Sequence, residues 1–166
     1  PTTAADTGRA MALTTDGNHR WCAVDPRTGT ALTVAESVMN LAVVGARPIA
    51  VVNCLNFGNP EHPEVMWQLS EAIDGMAEAC RAFGLPVIGV NVSLYNESRG
   101  SDIDPTPVLG VLGLIDELVR RPPGVGVIEG HRLLLIGVTP PELSGSLWAR
   151  NKGHRTGRLP VLAAAP

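Results

Sequence analysis

The stretch Val87-Ile88-Gly89-Val90-Asn91-Val92-Ser93-Leu94-Tyr95 decides how this chain is read. Ile88, Val90, Val92 and Leu94 alternate with Gly89, Asn91, Ser93 and Tyr95, and a period of two is the signature of a β-strand. One face is apolar and is expected to pack on something. The other carries a glycine and three hydrogen-bonding groups in a row.

Working outward, Pro48 to Phe57 reads as a second strand. Ile49, Val51, Val52 and Leu55 put apolar residues on both of its faces, which implies a central strand covered on both sides. Thr106 to Ile115 is a third, with Gly110 and Gly113 where backbone or helix must come close. Between the first two strands, Val65, Leu69, Ala72, Ile73, Met76, Cys80 and Phe83 recur at helical spacing. Asn59 offers a cap, Pro60 or Pro63 fits the first turn, and Gly84 stops the helix. Thr30 to Val44 is an earlier helix, closed by Gly45. Before it, Met11 to Thr14 and Arg20 to Val24 read as short strands around the turn signal Thr15-Asp16-Gly17-Asn18. After the third strand, Arg120-Arg121-Pro122-Pro123-Gly124 reads as a linker and Leu133 to Val138 as one more strand. The fold class is therefore α/β (α+β): a mixed sheet with two helices on one face in a first domain over residues 1–121. A truncated start of a second α/β domain follows over residues 122–166.

Bulk properties bound the function. The 166 residues are 45% hydrophobic but only 4% aromatic, so Ala, Val, Leu and Gly must fill the core. The net charge of −3 and the lack of a basic block before the tail argue against nucleic-acid binding. Apolar runs are too short or too interrupted to cross a membrane. Cys22, Cys54 and Cys80 lack metal-ligand spacing and read as buried thiols of a reducing compartment. The four histidines show no ligand spacing either, and there is no Walker lysine loop and no GxGxxG.

Two clusters remain. Asn91 and Ser93 lie two apart on one strand face, about 7 Å from each other. An amide oxygen suits Mg²⁺ and a hydroxyl suits a phosphate oxygen. Solvent-facing residues of a half-exposed strand are an equal reading. Asn53, Asn56 and Asn59 cluster where a strand ends and a helix begins, the place where open α/β folds set ligands. Turn closure is the alternative account of Asn56, and capping is the favoured account of Asn59. Asn53, polar in an apolar strand, needs a partner. Asp25, Glu36 and Asp104 are weaker metal or base candidates, and Glu36 reads as solvated.

Longer motifs add a resemblance. Cys54-Leu55-Asn56-Phe57-Gly58-Asn59-Pro60, Asn91-Val92-Ser93-Leu94-Tyr95-Asn96-Glu97 and Pro105-Thr106-Pro107-Val108 resemble the phosphoribosylformylglycinamidine synthase (PurL) family. So do Asp25-Pro26, Ala35 to Leu41, Gly45 to Pro48, and Gly145-Ser146. The likeness runs from about Leu13 to about Leu159 and matches the second N-terminal domain of the aminoimidazole ribonucleotide synthetase type, plus the start of the next domain. It implies an ATP-dependent, Mg²⁺-dependent, cytoplasmic ligase of purine biosynthesis. That enzyme converts formylglycinamide ribonucleotide to formylglycinamidine ribonucleotide with ammonia from glutamine. Carried over by motif, Asn53 and Val90 contact ATP, Asn91 binds Mg²⁺ and Ser93 contacts the substrate; no residue of this chain takes a catalytic role. The implied partners are the first repeat of the same enzyme, a glutaminase and a small accessory subunit, with a homodimer as a further possibility. The chain alone is expected to be inactive, and the alternative is a non-catalytic, self-associating scaffold. Three positions depart from the family pattern: Asn53 stands for Asp, Val90 for the second Gly of Gly-Gly-Asn, and Met39 for Arg. Each is expected to weaken nucleotide binding.

Overall fold

The computed structural model describes residues 2–3, 7–119, 128–135 and 137–162. In chain order these residues form β1 (Thr2–Thr3), β2 (Ala10–Gly17), α1 (His19–Val24), α2 (Pro26–Ala42), β3 (Arg47–Asn56) and α3 (Pro63–Ala82). Then come β4 (Val87–Ser93), β5 (Glu97–Ser98), β6 (Ser101–Asp102), β7 (Thr106–Ile115) and α4 (Leu147–Asn151). The main sheet has the order β1-β2-β7-β3-β4, and β5 and β6 form a separate small hairpin. β3 and β4 are parallel, joined through α3, while β2–β7 and β3–β7 are antiparallel. The sheet is mixed with two long helices on one face, as the sequence pattern predicts.

Local chemistry accounts for most boundaries. Asp25 caps α2, its carboxylate accepting from the Thr28 N–H at 3.0 Å and the Thr28 hydroxyl at 2.7 Å, and Pro26 occupies the first turn. Gly45 and Gly84 follow α2 and α3 at φ of 76° and 65°, the left-handed geometry that glycine tolerates. In α3 the stripe Val65, Ala72, Met76, Ala79 and Cys80 is buried against α2 and the sheet. Val51, Leu55 and Phe57 from β3 and the residue after it meet Leu109 and Val111 from β7 and Val34 and Leu41 from α2 in one core. Fully burying side chains of this size contributes about 1.5–3 kcal/mol each. The helices cross at Gly75, where a Cβ would overlap the Arg27 carbonyl. Across the same seam Arg27 pairs with Glu71, Asp74 and Glu78.

Several expectations are corrected. Residues 19–24 form a helix, not a strand. Asn18 accepts the Trp21 N–H at 3.3 Å, and the helix backs directly onto α2, where a Cβ on Gly29 would sit 2.7 Å from the Cys22 backbone nitrogen. The helix that follows β3 starts at Pro63. Its cap position is His62, without a side-chain cap bond, while Asn59 accepts from the Glu61 N–H at 2.9 Å. β3 is central but covered on one face only, since Val52 is 43% exposed. The apolar face of β4 is not packed away either: Ile88, Val90 and Val92 are 66%, 62% and 50% exposed, because β4 is a sheet edge. Leu133 to Leu135 and Val138 are exposed and outside any strand. The linker reading and the domain boundary at 121/122 lie outside the described residues.

Candidate functional site

Register places the residues singled out above. Asn53 pairs with Val90 and Leu55 with Val92, so these four share the helix side of the sheet. Cys54 pairs with Asn91 and Asn56 with Ser93, and these four share the open side. The structure therefore brings Asn91 and Ser93 together, side by side on the open face. It separates them from the side chains of Asn53 and Val90 by the thickness of the sheet. Asn91, Ser93 and Val90 lie on the edge strand β4, and Asn53 lies one strand in, on β3.

Each residue has a distinct environment. The Asn91 amide donates from Nδ2 to Cys54 Sγ at 3.3 Å; the residue is exposed, and its Oδ1 takes no hydrogen bond among the described residues. Ser93 is half-buried, and its hydroxyl exchanges hydrogen bonds with the Asn96 amide at 3.1 and 3.3 Å. Asn96 also donates to the carbonyls of Phe57 at 3.0 Å and Ser93 at 2.9 Å, tying the end of β4 to the end of β3. Asn56 donates to the Cys54 and Thr106 carbonyls, both at 3.1 Å, which fixes it as a turn-closing residue. Asn53 is 8% exposed; it donates from Nδ2 to Met76 Sδ at 3.3 Å, and its Oδ1 is a buried acceptor without a partner. An orphaned buried acceptor costs about 1–3 kcal/mol. Val90 is ordinary extended strand, so its replacement of a glycine strains no backbone. Gly89 does not open the backbone to a ligand: a Cβ there would lie 3.1 Å from Val52 Cγ1. Met39 is 60% exposed on α2.

The loop after β4 is latched by a residue pair that local sequence reading misses. Asp102 on β6 accepts the Asn59 backbone N–H at 2.6 Å, and its second oxygen meets His62 Nδ1 at 2.7 Å. The Asn59 N–H and then His62 hold the Asp102 carboxyl below its usual range, and the bond to Asp102 raises His62 above its own. No short motif joins positions 59, 62 and 102, so only the fold reveals the latch. Of the acidic candidates, Asp25 is a helix cap and Glu36 is half-buried on α2. Burial first, and the Asp16 carboxylate second, push the Glu36 acid up. Asp16 itself accepts from the hydroxyls of Thr14 at 2.6 Å and Ser37 at 2.7 Å and from the Asn40 amide at 2.9 Å.

A nucleotide and Mg²⁺ fit part of this arrangement. The orphan Asn53 Oδ1 needs a donor, and Asn91 Oδ1 is one hard oxygen of the kind Mg²⁺ takes. Among the described residues no three His, Cys, Asp or Glu side chains cluster to hold a metal. An ion at Asn91 would draw its other ligands from phosphate oxygens and water, the usual habit of Mg²⁺. No helix among the described residues is long and apolar enough to cross a membrane.

Comparison with known proteins agrees with the motifs. Residues 2–115 match the family described as AIR synthase related protein, N-terminal domain. The chain is 51% identical over 156 residues to the phosphoribosylformylglycinamidine synthase subunit PurL of Renibacterium salmoninarum, covering 94% of this chain and 20% of that protein. It is 52% identical over 161 residues to the same subunit of Thermobifida fusca, covering 96% and 21%. The chain thus spans about a fifth of the length of these curated relatives. Among solved structures, T. maritima PurL complexed with ATP has a TM-score of 0.63 at 36% identity, over 68% of this chain and 19% of that one. The form complexed with FGAR has a TM-score of 0.62 at 36% identity, over 68% and 18%. With its family model matching residues 2–115 and relatives about half identical over most of its length, the chain belongs to the AIR synthase related family, whose N-terminal domain it forms over residues 2–115.

Proposed function

We propose that this chain supplies one part of the nucleotide and substrate site of a phosphoribosylformylglycinamidine synthase, and is inactive without the rest. In this reading the whole enzyme, in the cytoplasm, converts formylglycinamide ribonucleotide to its amidine with ATP and ammonia from glutamine. The observation that carries it is the pairing of the Asn91 amide with the Ser93 hydroxyl on one open strand face.

Asn91 Oδ1 holds Mg²⁺, and the amide is kept in place by its bond to Cys54. Bound there, Mg²⁺ neutralises charge on the nucleotide phosphates. The Ser93 hydroxyl orients the substrate and is released to it by Asn96. Asn53, which the family motif also assigns to the nucleotide, keeps its orphan oxygen buried on the helix side, so a nucleotide contact there requires its side chain to turn out, and Val90 contributes through its backbone at the sheet edge. The open face, with exposed Met11, Leu13 and Val52, supports the rest of the reading. An apolar sheet face of this kind calls for cover, which an earlier repeat of the same enzyme or a second copy of this domain would supply. A glutaminase and a small accessory subunit complete the assembly; the solved structure of PurLQS from Thermotoga maritima is among those similar to this chain.

The test is a thermal-stability titration with Mg-ATP. Ligand at 100 times its Kd adds about 2.7 kcal/mol to the folded state. Asn91→Ala should abolish the shift while leaving the unliganded midpoint within about 0.5 kcal/mol, the range for surface changes. An equal shift in Asn91→Ala, or a large loss of unliganded stability, counts against the role of Asn91. Mixing the chain with the other repeat of the enzyme and both partner subunits should give amidine formation, and a folded chain that gives none refutes the wider reading.

A further inference from the structure

A second group of residues lines a cleft between the loop 98–106 and the turn that follows α4. Arg150 and Arg155 line both hollows of this cleft, the larger of which is about 570 Å³. That lies within the ~300–1,000 Å³ typical of small-molecule pockets. Arg99 enters the larger hollow from the loop and Arg20 the smaller one from α1. Four guanidiniums thus face two carboxylates, Asp102 and Asp104, a local excess of two positive charges (4 − 2) in a chain whose net charge is −3. Asp102 is already committed to Asn59 and His62. Among the described residues none of the four arginines forms an ion pair.

The hydrogen bonds show how the cluster is held without being neutralised. Arg20 Nε donates to the Gly145 carbonyl at 3.2 Å, which fixes its stem and leaves the charge unpaired. Arg150 donates from Nη1 to His19 Nε2 at 2.8 Å. An arginine can only donate, so His19 accepts and is the neutral imidazole. Burial first, and Arg20 next, lower the His19 pKa, in agreement with that assignment. A ring kept neutral beside a guanidinium orients it while adding no charge.

We propose that this cleft binds a phosphate-bearing small molecule, with Arg150 and Arg155 gripping the phosphoryl oxygens and Arg20 and Arg99 closing the sides. Arginine forks pair with phosphate and carboxylate oxygens alike; the local excess of positive charge matches a phosphoryl group, which carries about −1.5 to −2 at pH 7, better than a lone carboxylate. The cluster is confined to a cleft in an otherwise acidic chain, which favours a small ligand over a nucleic acid. Neither Asn91 nor Ser93 lines this cleft, and its binding needs no metal.

The test uses inorganic pyrophosphate in metal-free buffer, with binding to the full chain read by calorimetry. One saturable site per chain is expected. Arg150→Gln and Arg155→Gln should each weaken it roughly tenfold or more, the worth of one lost charge-assisted hydrogen bond. Arg155 is exposed and makes no bond within the described residues, so Arg155→Gln should keep the wild-type thermal midpoint and isolate binding from folding. Asn91→Ala should leave pyrophosphate binding unchanged, which separates this site from the Mg-nucleotide reading. Absence of saturable binding, or wild-type affinity in both arginine variants, overturns the proposal.

Discussion

The two faces of the one sheet are built from similar residues and end in opposite states. On β7, Pro107, Leu109, Val111 and Gly113 turn to the helices and are buried; Val108, Gly110, Leu112 and Leu114 turn the other way and stay partly exposed. On β3 the same split separates Val51 and Leu55, at 0% and 3% exposure, from Val52 at 43%. Hydrophobic composition therefore does not decide which face forms the core. The helices do, because α2 and α3 are tied to one side of β3 by the short connections around Gly45 and Gly58.

That contrast can be broken or sharpened by measurement. The largest effect is expected at Phe57, fully buried on the helix side. Phe57→Ala should cost about 3–5 kcal/mol in denaturant unfolding at unchanged slope, and a loss below about 1 kcal/mol would mean that the helix side is not the core. Next comes Asn53, whose orphan oxygen is a burden in the ligand-free fold. Asn53→Leu should raise stability by about 1 kcal/mol while reducing Mg-ATP binding; a destabilised variant would show that the oxygen has a partner in solution. Leu13, 69% exposed on the open face, should be near-silent: Leu13→Ser should shift stability by no more than about 0.5 kcal/mol in the isolated chain. A cost of several kcal/mol that grows with protein concentration would show this face already covered by a second copy.

The smallest effect concerns the latch. His62 is raised, so its share of stability is complete below its unfolded pKa and lost as pH rises through the folded value. Asp102 is lowered, so its share is complete above its unfolded pKa and lost as pH falls through the folded value. The charged pair is thus intact between the lowered carboxyl and the raised imidazole. An NMR titration of the His62 ring should show its pKa fall in Asp102→Asn, and an unmoved titration would remove the latch.

How much of this is legible in the sequence follows from what each element depends on. β4, β7 and α3 are readable because their side-chain period alone sets them. Asn91 and Ser93 fall on one face for the same reason. The six-residue α1 is not readable: Arg20-Trp21-Cys22-Ala23-Val24 has no clear helical period, and its state is settled by the Asn18 cap and by contact with Gly29. That β4 is an edge is hidden as well, since alternation reports a strand but not how many neighbours it has. The apolar run Leu133 to Val138 suggests a strand, yet a strand needs a partner to bond with, and the described part has none. The arginine cleft draws on positions 20, 99, 150 and 155, a spacing no local motif carries.

Val52 rises from the open face between Gly89 and Gly110, and a Cβ on either glycine would come within 3.1 or 3.0 Å of its methyl groups. The relief of that surface is thus carved by two missing side chains as much as by the one present. A body laid against this part of the sheet meets the Val52 methyl groups spread over two positions that carry no side chain of their own. Drift at any of the three positions would blunt that relief unless the other two moved with it.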